Sequence, residues 1–504
     1  MNARTLGDVP ARAARLWGRR TALIFEDQRS SFEDLDRAIA DLAGRLRHLG
    51  LERGQRVAIL MENRPEYLHA YFAVAAAGGV LVPLNTFLAP VELRAMLRDC
   101  GASLLLATPE ALRRVAPVLS DLPALERIAV FDSGQVRLES GAAAAAREPS
   151  TEPIAPHDTA VLIYTSGTTG QPKGVMLTHA NLLSNAEACI EAVGVTPRDR
   201  LLLCLPMFHS FTEMVGMLAP MVAGMSIVLC EKVDRAQVRR ALIRHRPTIF
   251  PAVPAVFAAM AQVEIGPVAR WLNPVRLYIS GGAPLSLDTL KSFERIYRRP
   301  LCEGYGLSEA SPVVALNPPS ATRKPGSIGL PLPGVEVRIA DGLGAEAATG
   351  ETGELLVRGA SVMKGYLDRP EETARALEGG WLHTGDLARR DEDRYLFIMG
   401  RRKEMLICRG MNVYPREIEE VLESHPRIKE AAVVGVADST RGEVPVAFVV
   451  AGAGPRITEA ELKRDCLEKL ARYKVPRAFH FVAELPRNAA GKVLKESLKV
   501  GVSS

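Results

Sequence analysis

Short β-branched runs alternate with helix-periodic segments through most of this chain, and that alternation is its strongest constraint on fold. Arg56 to Met61, Val80 to Val82, Ser103 to Ala107, Ile128 to Phe131 and Ala160 to Tyr164 read as strands, while Phe32 to Leu49 and Glu66 to Ala77 carry apolar side chains at helical spacing. The pattern predicts an α/β fold with parallel sheets crossed by helices. With 504 residues, 47% of them apolar, the chain can bury large cores and divide into at least two domains.

Two changes of pattern mark the organisation. Ser140 to Ser150, with five consecutive alanines, reads as a join between α/β units. After Gly329-Leu330-Pro331-Leu332-Pro333-Gly334, the runs Val335 to Ile339 and Glu354 to Val357 alternate like antiparallel strands and predict a small β subdomain. Beyond Arg401 come a helix at Pro415 to Ser424, strands at Ala431 to Val436 and Ala447 to Val450, a helix at Glu459 to Ala471 and a basic tail. The expected architecture is a large N-terminal domain (1–400) of α/β subdomains plus the β subdomain, followed by a mobile, small α+β C-terminal domain (401–504).

A net charge of +5 gives no electrostatic argument for nucleic acid as a partner. Cys100, Cys189, Cys204, Cys230, Cys302, Cys408 and Cys466 are odd in number and form no C-x-x-C pair, which suits reduced thiols and a cytoplasmic setting. Met1 to Arg20 lacks the continuous apolar core of a signal peptide. Met214 to Cys230 is uncharged but contains Gly216, Pro220 and Gly224, so it reads as a buried helix and then a strand from Ser226 rather than a membrane span. The cluster Arg235, Arg239, Arg240, Arg244 and Arg246 offers a surface for peripheral membrane contact, or is simply a solvated helix face.

Several segments carry chemistry. Tyr164-Thr165-Ser166-Gly167-Thr168-Thr169-Gly170-Gln171-Pro172-Lys173-Gly174 follows a buried-strand run, and its glycines, hydroxyls and single ammonium suit a phosphate. It is not the ordinary P-loop, because Lys173 is followed by glycine. Gly304-Tyr305-Gly306-Leu307-Ser308-Glu309 sets an aromatic between glycines and a carboxylate four positions on. Asp386, in Thr384-Gly385-Asp386, has two acceptor oxygens suited to a pair of hydroxyls, although such a tripeptide is otherwise an Asx-type turn. Leu205-Pro206-Met207-Phe208-His209-Ser210-Phe211 places one histidine among apolar residues, a pattern that also describes a packed core histidine. Gly281-Gly282-Ala283-Pro284 leaves space beside it for a chain or ring.

Together these segments, in this order, resemble the signatures of the adenylate-forming (AMP-binding) superfamily, and most closely its acyl-CoA synthetase branch of fatty-acid–CoA ligases. The resemblance covers essentially the whole chain. It implies a two-stage reaction: a carboxylic acid and Mg·ATP give an acyl-adenylate and pyrophosphate, then coenzyme A thiol takes the acyl group and releases AMP. It implies that Thr165, Ser166, Gly167, Thr168, Thr169, Gly170 and Lys173 hold phosphate, and that Thr165 and Glu309 serve Mg2+. Gly281, Gly282, Ala283, Gly304, Tyr305, Gly306 and Ser308 would border the nucleotide, with Tyr305 stacked on adenine, Asp386 on ribose and Arg401 reaching the nucleotide.

Phe208, His209, Gly281 and Gly282 would line the acid's carboxylate end, Arg409 and Gly410 the passage for coenzyme A, Lys403 the hinge, and Lys492 the adenylation centre. A cation at Lys492 would lower repulsion between the attacking carboxylate and the α-phosphate. Ser308 stands where the family usually has threonine, Arg409 replaces a small residue and Lys495 an arginine. The absence of an ammonium-binding aspartate in the His209 segment points away from the family's amino-acid-activating members, and the apolar content of Phe208 to Val222 with the Gly410-Met411-Asn412-Val413-Tyr414-Pro415 wording most resembles its medium- or long-chain fatty acyl-CoA ligases. Aryl acids, a carrier-protein pantetheine as acceptor, and a nucleotide-binding sensor without turnover are the alternatives. No G-x-S-x-G elbow supports a serine hydrolase.

Overall fold

The computed structural model describes residues 3–120, 122–132, 135–140, 153–166, 172–408, 411–438, 442–452, 455, 457–487 and 493–500. The expected join at 141–150 lies outside the described residues.

Two large sheets form the body of the N-terminal domain. In the first, six parallel strands run in the spatial order Leu301–Gly306, Leu277–Ser280, Ile249–Ala252, Arg200–Leu203, Ser226–Leu229, Thr21–Phe25, with antiparallel strands added at both edges. In the second, Thr159–Ser166, Val80–Pro83, Arg56–Leu60, Leu104–Ala107 and Arg127–Asp132 are parallel neighbours. Its antiparallel margins are Pro172–Thr178 with Gly365–Tyr366 on one side and Gln135–Ser140 on the other. One core lies between the sheets around Tyr67, Tyr71, Phe72, Leu182 and Met217, and separate cores cover their outer faces, giving an α-β-α-β-α stack.

Helix boundaries follow local chemistry. Ser31 and Asp34 cap the Phe32–His48 helix reciprocally, with Asp34 N donating to Ser31 Oγ at 3.1 Å and Ser31 N to Asp34 Oδ2 at 2.9 Å. Thr178 and Asn181 repeat the device at the start of the His179–Val193 helix. That helix is tied to the first sheet by Asn185, whose Nδ2 donates to Val313 O at 2.7 Å and whose Oδ1 accepts from Val313 N at 3.1 Å.

The strands Val335–Ala340, Thr352–Gly359, Leu382–Arg390 and Leu396–Arg401 form the expected antiparallel β unit. A five-stranded sheet built from residues 406–481 and the Pro415–Glu423 and Glu459–Lys469 helices form the small C-terminal domain.

Three features differ from the sequence expectations. Lys173 lies on a strand, not in a loop. The basic tail contains a helix, Lys495–Val500, which buries Leu498 in the small domain's core and pairs Lys495 with Glu404 at 2.9 Å and Glu419 at 2.7 Å. The helix after His209 is a π-helix over Glu213–Leu218 before it becomes α-helical over Ala219–Ala223. A wide turn of this kind inserts one residue into the helical repeat, which apolar periodicity does not register. No helix among the described residues is long and apolar enough to cross a membrane.

Candidate active site

The described ends of the phosphate-like segment lie on two antiparallel strands. Thr165 lies opposite Lys173 and Ser166 opposite Pro172, while Gly167, Thr168, Thr169 and Gly170 lie outside the described residues. Mostly buried, Lys173 is ion-paired with Glu372 of the Pro370–Ala376 helix, and its Nζ stands 5.4 Å from the centre of the Tyr366 ring. The hydrogen bond from Lys173 holds the Glu372 carboxyl below its ordinary range. Tyr366 Oη in turn donates to Glu309 Oε1 at 2.9 Å.

Glu309 belongs to a one-turn helix, Ser308–Ala310, that follows the Leu301–Gly306 strand. Gly306 is required there, since a Cβ would lie 2.1 Å from Pro312 O. Ser308 Oγ donates to Ser210 Oγ at 3.4 Å, which joins this turn to the His209 segment. Tyr305 Oη donates to Asp386 Oδ2, and Arg401 Nε lies 2.6 Å from Asp386 Oδ1.

Asp386 is not in an open turn. It is 3% exposed, in the middle of the Leu382–Arg390 strand and paired directly with Arg401 on the next. Gly385, at φ +69°, supplies the local bend. Burial alone disfavours the Arg401 charge, but Asp386, Tyr305, Glu404 and Glu309 surround it and raise its pKa. Burial, reinforced by Asp386, keeps the Tyr305 phenol protonated. A continuous series of contacts and fields thus runs from Lys173 through Tyr366, Glu309 and Arg401 to Asp386 and Tyr305.

At the other end, His209 caps the Ser210–Thr212 turn, its Nδ1 accepting from Phe211 N at 3.2 Å. Burial lowers its pKa and keeps the ring neutral. Phe208 meets Phe87 edge to face at 5.9 Å. The Phe211 ring lies so close to Gly281 that a Cβ there would be 3.0 Å from it. Gly282 and Ala283 are exposed just beyond the carboxyl end of the Leu277–Ser280 strand. Lys403 is exposed in a single turn, Arg402–Glu404, between the Arg401 strand and the first strand of the small domain. Arg409, Gly410 and Lys492 lie outside the described residues.

The structure adds residues that sequence reasoning missed. Tyr366 and Glu372 reach the site from Gly365-Tyr366-Leu367-Asp368-Arg369-Pro370-Glu371-Glu372, which carries no catalytic pattern of its own. Glu303, two residues before Tyr305, is buried, accepts from Leu285 N at 3.0 Å and has its pKa pushed up to about 7 by burial. It lines a cavity of about 260 Å³ with Asn317, Arg323 and Lys324. Glu213 is buried on the π-helix one turn after His209, and its place immediately before an uncharged run was the available signal.

Residues 10–367 match the model of the AMP-binding enzyme family, and residues 417–492 match the AMP-binding enzyme C-terminal domain. The chain belongs to the AMP-binding enzyme family. This AMP-binding enzyme is 34% identical to the long-chain-fatty-acid–CoA ligase of Bacillus subtilis, over 98% of this chain and 94% of that one. It is 37% identical to the feruloyl-CoA synthase of an Amycolatopsis species over 99% of both chains. Among solved structures it is similar to O-succinylbenzoate coenzyme A synthetase of Bacillus subtilis in complex with ATP and magnesium ion, at 32% identity and a TM-score of 0.83, over 98% of this chain and 99% of that one. Its chemistry is that of an ATP-dependent, AMP-forming acyl- or aryl-CoA ligase, an acid–thiol ligase that uses ATP, Mg2+ and coenzyme A.

The residues present fit that set. Glu309 and Thr165 offer hard oxygen donors, the Glu309 turn lying against the Pro172–Thr178 strand that pairs with the strand carrying Thr165, and Mg2+ is ordinarily held by one or two carboxylates together with substrate phosphates.

Proposed function

We propose that this ligase activates a medium- or long-chain fatty acid and transfers it to coenzyme A. The observation that carries the reading is the series from Lys173 to Asp386, which supplies an ammonium, a carboxylate, a guanidinium and an aromatic in the order that a triphosphate, metal, ribose and adenine require. Lys173 and the hydroxyls and glycines of residues 165–170 hold the departing pyrophosphate. Glu309 and Thr165 hold Mg2+, which neutralises charge on the phosphates. Asp386 accepts the ribose hydroxyls, its carboxylate pre-aimed by Tyr305 and Arg401, and adenine lies on Tyr305. Lys492 bridges carboxylate and α-phosphate while the acid oxygen bonds to phosphorus and the bond to pyrophosphate breaks. Coenzyme A thiol then attacks the acyl carbon, and AMP leaves.

An apolar path supports the alkyl choice. Phe211 and Gly281 stand at the carboxylate end, and Phe208 leads to Phe87, which is 62% exposed. The second reading, an aryl acid, is favoured by the flat Phe211 wall at Gly281 and by the likeness to feruloyl-CoA synthase. Pyrophosphate release with acids from acetate to palmitate, and with benzoate and cinnamate derivatives, decides between them. A strong preference for an aryl acid overturns the fatty-acid choice and leaves the adenylation chemistry standing.

The boundary near residue 401 and the hinge at Lys403 are part of the same proposal. Support comes from the small domain's sheet, which among the described residues pairs with no strand of the other three, and from Arg401 being anchored on Asp386 immediately before the turn that carries Lys403.

A peripheral contact with an anionic bilayer is also proposed. Trp271 is 81% and Val268 70% exposed in the short Pro267–Leu272 helix. Between Arg235 and Arg299 there are eleven Lys and Arg against three Asp and Glu, a surplus of eight in a chain whose whole charge is +5. An exposed tryptophan amid arginines suits a headgroup boundary. The C-terminal ends of the Arg235–His245 and Leu287–Tyr297 helices and the Trp271 turn lead into the amino ends of three neighbouring parallel strands, whereas Gly281 and Tyr305 lie at or beyond the carboxyl ends. A bilayer there would leave the active site open to water. A second copy of this chain suits the face poorly, because two-fold pairing would bring like charges together.

A further inference from the structure

The segment Met363 to Leu367 fastens two halves of the nucleotide site together. Met363 N donates to Glu309 O at 2.8 Å, Lys364 N to Met176 O at 3.0 Å and Leu367 N to Gly174 O at 2.8 Å. Tyr366 therefore sits on a strap that grips the metal-side turn by its backbone and the phosphate hairpin by an antiparallel pairing, Tyr366 opposite Val175. Its own backbone is fixed from behind, since Thr373 Oγ1 accepts from Tyr366 N at 2.9 Å and donates to Arg369 O at 2.8 Å. From this position the hydroxyl reaches Glu309 Oε1 at 2.9 Å and the ring faces Lys173 Nζ at 5.4 Å.

We propose that Tyr366 is a positioning residue for adenylation: its hydroxyl sets the orientation of the Glu309 carboxylate, and its ring sets the place of the Lys173 ammonium. The inference rests on the reading that Glu309 is the metal-side carboxylate and Lys173 the phosphate-side cation. A free carboxylate on a one-turn helix has several rotamers, and only some aim an oxygen toward a polyphosphate held at the hairpin. The phenol removes that freedom by occupying one carboxylate oxygen and leaving the other to a metal. In that contact the phenol is the donor, since an ionised carboxylate can only accept. A cation over a ring face is held by the quadrupole without surrendering its hydrogen-bonding capacity, so Lys173 can exchange Glu372 for a phosphate oxygen without leaving Tyr366.

The test compares wild type, Tyr366→Phe, Glu309→Gln and the double variant. Three quantities are read: Mn2+ affinity by electron paramagnetic resonance in the presence of a non-hydrolysable ATP analogue, the Mg2+ concentration for half-maximal pyrophosphate release, and thioester formation from supplied acyl-adenylate. Tyr366→Phe is expected to weaken Mn2+ about tenfold, the scale of a lost hydrogen bond to a charged acceptor, and to raise the Mg2+ requirement in parallel. Thioester formation from supplied acyl-adenylate is expected to hold, and the double variant to be no worse than Glu309→Gln alone. Tyr366→Leu, which removes the ring as well, is expected to lose ATP-analogue affinity beyond Tyr366→Phe.

If Glu309→Gln weakens Mn2+ and Tyr366→Phe does not, or if their effects add, the inference fails while the metal reading survives. If Glu309→Gln leaves Mn2+ affinity intact, the metal reading itself is wrong. Equal ATP-analogue affinity in Tyr366→Leu and Tyr366→Phe sinks the bracing of Lys173.

Discussion

Replacing Glu213 by glutamine should make the protein more stable above neutrality and leave it nearly unchanged in mild acid. Glu213 is 2% exposed, and Tyr71 Oη donates to its Oε1 at 2.6 Å. Tyr67 Oη, buried nearby, has no hydrogen-bond partner among the described residues. Burial pushes the Glu213 carboxyl up to about 7 from an ordinary 4.5, even though the Tyr71 hydrogen bond works in the opposite direction. The folded protein therefore keeps a proton that the unfolded chain sheds. Between about pH 4.5 and 7 the unfolded state binds fewer protons, so stability falls as pH rises, is complete below that window and reaches its floor above it. Each pH unit of the window is worth about 1.4 kcal/mol, so the loss by pH 8 is about 3 kcal/mol. Glutamine keeps an acceptor for Tyr71 without ionising.

Urea unfolding followed by tryptophan fluorescence at pH 5 and pH 8 reads the effect as a difference between wild type and Glu213→Gln. That difference should be small at pH 5 and about 3 kcal/mol in favour of glutamine at pH 8. Glu303, also pushed up to about 7, contributes to both proteins and cancels. Tyr71→Phe, which removes the bond that restrains the shift, should extend the window to higher pH and enlarge the wild-type loss by pH 8. Parallel pH profiles for wild type and Glu213→Gln would refute the reasoning.

Asp386→Ala should raise the KM for ATP about 10- to 100-fold, the range for losing charged hydrogen bonds, and a normal ATP KM with impaired acid binding contradicts the ribose assignment. Lys492→Ala should slow ATP-dependent adenylation about 10²- to 10³-fold and spare thioester formation from supplied acyl-adenylate, whereas equal loss of both stages rules out its assignment to the first. Gly281→Val should raise KM for long acids more than for acetate, because its side chain meets the Phe211 ring at 3.0 Å or less; uniform loss across chain length argues against a wall at this position. Wild type should sediment with vesicles of phosphatidylglycerol in phosphatidylcholine and not with phosphatidylcholine alone. Trp271→Ser, Arg298→Glu and high salt should each reduce that binding, and its absence, or a Trp271-dependent dimer in sedimentation velocity, refutes the membrane face.

Much of this protein is legible from sequence because its determinants are local. The alternation of strand and helix periods fixes parallel sheets, since one period buries both faces of a strand and the other a stripe of a helix. The buried runs Arg56–Leu60, Val80–Pro83 and Leu104–Ala107 obey it. Family-level chemistry is legible for a related reason: a phosphate cradle or a ring between two glycines needs its residues adjacent in the chain, so the motif survives as a word. The C-terminal domain, with its own helix and strand periods, belongs to the same class.

Only the tertiary structure decided which side chains hold those words in place. Tyr366 meets Glu309 across 57 positions and Tyr71 meets Glu213 across 142, so no window along the chain contains either pair. Asp386 looked like a turn residue and proved to be the buried centre of a strand, because its partner Arg401 comes from the next strand and Tyr305 from another sheet. Local pattern reports which face of an element is apolar. The direction of a carboxylate, the neutrality of His209 and the raised pKa values of Glu213 and Glu303 arise from what distant elements place around them.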